Sequence, residues 1–346
     1  MPTLTFLGTG NFLAPPGRYW NSFVLDKNVL VEPSPTALPH LRRCGFAVED
    51  VEVVVVSHFH ADHCFGWPFL LEAMAEVGGG KTVHVVGPPG LEAHLARLNE
   101  AGAVGSVTSM ASARLDLRFV EVDGDWQQAG PLRFRAVEVV HVPYLRCFGY
   151  LFERGGDGGD GDDDGDDDRD QVQVVGYSGD VTPCAGLTEL AREADVLVVE
   201  CNGRHTPPGV PTVHMDEESI RALAAAHPDT KLILTHLGEQ VDTDSLTGTG
   251  ATIPDDFDRL TDRPSDRLTG PTSTRWAGQV AGATPTTGAA SGWPPMEPKK
   301  PASPQLKTPP SRATSQYPLP SVVAAMPTTG EMRGEPPMEP SKLASP

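Results

Sequence analysis

Nowhere in the 346 residues is there an uninterrupted apolar run of the roughly 18 residues that a membrane-spanning helix needs. The opening MPTLTFLGTG has neither the basic stretch nor the long apolar stretch of an export signal, so a cytoplasmic location is expected. Cysteine is sparse. The five (Cys44, Cys64, Cys147, Cys184 and Cys201) are odd in number and form no CxxC pair, which points to free thiols in a reducing compartment. Positive charge is also short, with 27 Lys and Arg against 46 Asp and Glu. The net charge of −19 repels phosphate backbones at long range and argues against nucleic acid as a partner, leaving a small-molecule substrate as the expectation.

The acidity is uneven. Residues 155–170 hold nine aspartates against the single Arg169, a local charge of −8 that leaves −11 on everything else. This segment reads as a solvated, disordered loop insertion. Calcium binding is the weaker reading, because the aliphatic positions of calcium-binding β-rolls are missing. Proline marks a second boundary, since 17 of the 34 prolines follow residue 260. Hydrophobic periodicity stops there, and the segments starting at Pro285 and Pro294 recur 42 positions later, at Pro327 and Pro336. The expected organisation is one globular domain over residues 1–260 and a disordered low-complexity tail over 261–346.

Within the domain, β-branched and apolar runs predict strands over 4–7, 22–25, 29–32, 51–56, 82–86, 116–120, 132–140, 148–153, 172–177, 196–200 and 232–235. Helical patterning predicts helices over 37–44, 68–77, 89–99, 183–193 and 216–227, with Pro89 in the first turn of its helix. Strand-rich halves with interspersed helices suggest packed sheets covered by helices on the outside.

The strongest chemical signal is His58-x-His60-x-Asp62-His63, which directly follows the apolar strand over 51–56. Imidazoles two apart at a strand end can grip one metal ion, and Asp62 with His63 can face a neighbouring ion. Three imidazoles and a carboxylate this close together would be costly to bury without a metal. Further ligands are available where other strands stop: His141, Asp180 and His236. His40, His84, His94 and His227 lie on predicted helices or strands without partners and read as structural.

With these motifs in view, the chain resembles the metallo-β-lactamase superfamily over residues 3–245. It most resembles the branch that contains ribonuclease Z and the phosphoribosyl cyclic phosphate phosphodiesterase. The matching features are Phe6-Leu7-Gly8-Thr9-Gly10, the His/Asp cluster, His141, Ser178-Gly179-Asp180 and Thr235-His236. The resemblance implies an α/β (α+β) fold, a four-layer αββα sandwich with the metals at one edge. It implies two divalent ions, zinc by default with manganese as the alternative. His58, His60 and His141 would bind one ion, Asp62, His63 and His236 the second, and Asp180 would bridge them.

The implied activity is metal-dependent hydrolysis by a bridging hydroxide, most naturally of small or cyclic phosphodiesters. Asp62 is also expected to orient the nucleophile. By the same resemblance His214 assists the leaving group and Glu200 partners it. His205 is a weaker candidate for substrate contact. Ribonuclease Z-like tRNA cleavage and ester, lactone or thioester hydrolysis are the alternatives, and relatives in this branch often form homodimers. Three departures stand out. Val31-Glu32-Pro33-Ser34-Pro35 occupies the place of the acidic-glycine turn of ribonuclease Z. The acidic segment 155–170 stands where tRNA-cutting enzymes carry a basic arm. Residues 11–21 lack the cysteines of the cyclic phosphodiesterase's structural zinc site.

Overall fold

The structure is a computed structural model and describes residues 3–77, 79–102, 114–154, 173–203 and 212–261. These fall within the first of two compact units, Met1–Trp276. The second unit, Ala277–Pro346, and the acidic segment lie outside the described residues, and with them the expectations of a disordered insertion and tail.

The chain first forms β1 (Leu4–Gly8), β2 (Ser22–Leu25), β3 (Val29–Val31), α1 (Ala37–Arg43), β4 (Val53–Val55), α2 (Ala61–Cys64), α3 (Trp67–Val77), β5 (Lys81–Gly87), α4 (Leu91–Ala101) and β6 (Leu115–Glu121). It continues with β7 (Trp126–Ala129), β8 (Leu132–Val139), β9 (Cys147–Arg154), β10 (Gln173–Tyr177), α5 (Ala185–Glu193), β11 (Val196–Glu200), α6 (Glu217–Ala226), β12 (Lys231–Thr235) and β13 (Arg259–Leu260). One sheet has the order β13-β1-β2-β3-β4-β5-β6, the other β12-β11-β10-β9-β8-β7.

Strand periodicity explains the layering. Successive side chains point to opposite faces, so a strand buried on both faces is apolar throughout. In β4, Val53 and Val55 enter a core shared with Phe134, Tyr150 and Val198 of the other sheet, while Val54 packs outward with Leu41, Trp67 and Leu70 of α1 and α3. In β11, Val196 and Val198 face the same inter-sheet core, and Leu197 and Val199 face outward to Leu187, Leu190 and Ile220 of α5 and α6. Three apolar cores therefore separate four layers, helix, sheet, sheet and helix. That is the αββα sandwich expected from the sequence.

Most predicted elements appear within a residue or two of their expected bounds. Two strands were not anticipated. Trp126-Gln-Gln-Ala of β7 is a four-residue edge strand without apolar alternation, and β13 has two residues that extend only by pairing with β1. The helix expected from residue 89 starts instead at Leu91. Gly90 holds the left-handed φ of 88° at its N-cap, so Pro89 precedes the helix rather than opening it. Among the described residues no helix is long and apolar enough to cross a membrane, and all five cysteines are free thiols.

Candidate metal centre

Strand direction gathers the site. β10, β11 and β12 are parallel, so Asp180, Glu200 and His236 emerge at one common end of the second sheet. β8 is antiparallel to β9, which is antiparallel to β10, and so His141 leaves β8 at that same end. The first sheet is joined there by a hydrogen bond from the Phe148 amide to the Ser57 carbonyl, 3.1 Å, immediately before His58. The short α2 then turns Asp62 and His63 back toward the second sheet. Two backbone positions are demanding. Gly179 has φ +59°, and a Cβ there would come within 2.8 Å of the Phe148 carbonyl oxygen. His236 itself sits at φ 53°, a strained value for a residue other than glycine that recurs at functional sites.

All seven ligands expected from the sequence converge. The first group comprises His58, His60, His141 and Asp180. His60 Nδ1 stands 3.0 Å from His58 Nε2 and 3.4 Å from His141 Nε2, and Asp180 Oδ2 lies 3.8 Å from both Nε2 atoms. The second group comprises Asp62, His63, His236 and Asp180. There His63 Nε2 and His236 Nε2 are each 3.3 Å from Asp180 Oδ1, and 3.2 and 3.3 Å from Asp62 Oδ2. Asp180 thus offers one carboxylate oxygen to each group.

Four donors placed tetrahedrally at about 2.0–2.2 Å from an ion stand about 3.3–3.6 Å from one another. The observed spacings bracket that value. The buried atoms His63 Nε2, Asp180 Oδ1 and Asp62 Oδ1 have no hydrogen-bond partner, a costly state that a cation would relieve. The donor set fits a divalent metal.

The other nitrogen of His58 and of His141 is hydrogen-bonded outside the cluster, an arrangement that fixes ring orientation and tautomer at metal sites, while those of His63 and His236 have only a carboxylate nearby. His58 Nδ1 is 2.9 Å from Ser57 Oγ, and His141 Nδ1 donates to the Val213 carbonyl at 2.6 Å. His60 turns the other way, with Nε2 3.4 Å from Tyr144 Oη. His63 Nδ1 is 3.5 Å from Glu32 Oε1, and His236 Nδ1 is 3.9 Å from Glu200 Oε2.

The electrostatics divide the two groups. Burial holds His58, His60 and His141 below the ordinary imidazole range, keeping their lone pairs available. Burial also opposes charge on His63, but Asp62, Asp180 and Glu32 outweigh it and raise that imidazole well above its usual value. Asp62 and Asp180 are held low, since the neighbouring imidazoles overcome the effect of burial. Three buried carboxylates therefore favour positive charge at the centre of the second group.

Beside it lies a third cluster, Glu200, His214 and His236. His214 Nδ1 is 2.8 Å from Glu200 Oε1, which also accepts from the Val181 amide at 2.7 Å. Burial, then the Asp180 carboxylate, push Glu200 above the usual carboxyl range, against the hydrogen bonds it accepts. His214 lines a cavity of about 260 Å³ together with His60, Asp62, His141 and Asp180. His205 lies outside the described residues. His40, His84, His94 and His227 belong to none of the clusters. His40 bonds the Leu7 carbonyl, and His94 stacks on Phe59.

Glu32 was noted in the sequence only as a departure from a turn motif, yet it is fully buried, at φ 60°, with both oxygens receiving the Ser57 amide. An acidic residue ending an apolar strand just before a proline was the available signal. Nothing in the sequence singled out Tyr144.

A family model described as the beta-lactamase superfamily domain matches residues 27–237, more than half the chain and all seven converging residues. The chain belongs to the metallo-β-lactamase superfamily. Ribonuclease Z of Methanosarcina mazei is 24% identical over 280 residues, covering 69% of this chain and 88% of that protein. Ribonuclease Z of Pyrobaculum arsenaticum is 28% identical, covering 74% and 97%. Among solved structures, a diphosphatase from the PhnP family aligns with TM-score 0.57 at 18% identity, covering 76% of this chain and 98% of that one. Human short-form tRNase Z aligns with TM-score 0.54 at 18% identity, covering 75% and 98%, and both structures share the fold. This superfamily member is a hydrolase. The expectation that nucleic acid is an unlikely partner is not supported, because the similar proteins include ribonucleases and the acidic segment behind much of that expectation lies outside the described residues.

Proposed function

We propose that the chain is a phosphodiesterase that works with two divalent ions, zinc in the first place and manganese as the alternative, on small phosphodiesters. His58, His60 and His141 would hold one ion, Asp62, His63 and His236 the other, and Asp180 would serve both. Such an ion pair supplies Lewis acidity and lowers the pKa of water from about 16 toward neutrality. Asp62 Oδ1, buried and without a hydrogen-bond partner, is available to accept a hydrogen bond from the attacking water and orient it.

The observation that carries phosphodiester chemistry is the His214–Glu200 pair beside the twin donor groups. A departing alkoxide needs a proton, and an imidazole whose Nδ1 is held 2.8 Å from Glu200 Oε1 is oriented to give one from its other nitrogen. A second reading, cleavage of precursor tRNA, is favoured by the ribonuclease Z relatives.

Protein loaded with zinc or manganese separates the readings when offered a simple phosphodiester, a lactone and precursor tRNA, with metal content measured alongside. Phosphodiester turnover with two ions per chain is the expected result. Lactone turnover without phosphodiester turnover refutes the assignment, and efficient cleavage of precursor tRNA replaces the small-substrate reading with the second one.

A further inference from the structure

We propose that the mouth of the metal cavity is a subsite for a hydrophobic ester group about the size of one aromatic ring. The preferred substrate is then a low-charge phosphodiester bearing an aryl or comparably bulky apolar substituent. This rests on the phosphodiesterase reading above and narrows it.

The loop after β1 carries the observation. Asn11 is buried and ties the loop down: its amide donates to the Leu237 carbonyl, its Nδ2 to Asn202 Oδ1 and its Oδ1 accepts from the Leu13 amide. Trp20 Nε1 donates to the Phe12 carbonyl at 2.9 Å. A loop held at this many points nevertheless leaves Phe12 57% and Leu13 62% exposed. Both side chains line the cavity whose floor is His60, Asp62, Asp180 and His214, and Val142 lines it as well. Tyr144, 74% exposed, stands next to His60 with ring centroids 6.2 Å apart. Large apolar side chains clustered in water around a reaction centre mark a binding surface. Holding them rigidly removes the ordering cost of binding.

Charge and size narrow the occupant. Among the described residues that line the cavity there is no lysine or arginine. Arg18, in the same loop, is engaged by Thr9 Oγ1, the Pro254 carbonyl and Asp255. Among the described lining residues, a substrate with several phosphates would find no lysine or arginine to offset its charge. The volume of about 260 Å³ exceeds the roughly 150 Å³ that accepts a benzene ring and falls below the roughly 300–1,000 Å³ typical of drug-sized ligands.

The test keeps the leaving group constant. The metal-loaded full chain is given p-nitrophenyl phenyl phosphate and p-nitrophenyl methyl phosphate, and calorimetry compares phenylphosphonate with methylphosphonate. The expected preference for phenyl is about tenfold in both kcat/KM and affinity. In the Phe12→Ser/Leu13→Ser variant it falls toward one, while Phe12→Leu, which keeps apolar area, retains most of it. Equal handling of phenyl and methyl by the unmodified chain overturns the subsite, as does a preference untouched by the double substitution. Turnover of neither ester by fully loaded protein would refute the underlying phosphodiesterase reading instead, and the phosphonate pair would still decide the subsite.

Discussion

Replacing His214 by asparagine isolates the step assigned to it. The amide can still donate to Glu200 Oε1, which the imidazole approaches at 2.8 Å, so the buried carboxylate keeps a partner. Glu200 Oε1 also keeps the Val181 amide at 2.7 Å, so the substitution leaves this buried oxygen satisfied. What asparagine cannot do is give up a proton. General-acid assistance contributes about 10²–10⁴-fold, so phosphodiesters with an alkoxide leaving group should lose about that much in kcat. A p-nitrophenolate leaving group is stable without protonation and should lose less than about tenfold on the same argument. The assay is therefore a leaving-group series on the unmodified and His214→Asn proteins, with metal content measured on both. Equal losses across the series, with metal content unchanged, would show that His214 positions substrate or structure and does not serve as the acid.

Asp180→Asn takes away the charge that both donor groups share. Bound metal should drop below two ions per chain and activity should fall at least about 100-fold; full metal content by elemental analysis would contradict the bridging role. Glu32→Gln removes the carboxylate 3.5 Å behind His63 Nδ1. Metal affinity measured against a competing chelator should weaken about 10–100-fold, and an unchanged affinity would remove Glu32 from the site. Gly179→Ala forces a Cβ to within 2.8 Å of the Phe148 carbonyl oxygen at φ +59°. Thermal unfolding should register a loss of about 1–3 kcal/mol, and an unshifted Tm would show that the backbone there relaxes without cost.

Much of this was legible in the chain itself. Val53, Val54 and Val55 announce a strand buried on both faces, and a strand of that kind requires covering layers on either side. The spacing of His58, His60, Asp62 and His63 marked a metal-binding cluster, because no structural role readily accounts for so many buried donors so close together. Side chains at the ends of separate strands, His141, Asp180 and His236, were legible through their position after apolar runs. β7 and β13 were not, since neither has its own periodicity and each exists by pairing with a neighbour.

Local pattern, then, was enough to suggest the layers of this protein and to single out the donor residues that converge at the candidate metal centre, because burial and donor chemistry are written residue by residue. Their outer partners were decided only in three dimensions. Glu32 meets His63 across 31 positions, Tyr144 meets His60 across 84, and Asn11 meets Asn202 across 191. None of these pairs leaves a periodic trace, for each depends on which strand ends the closed sandwich brings side by side.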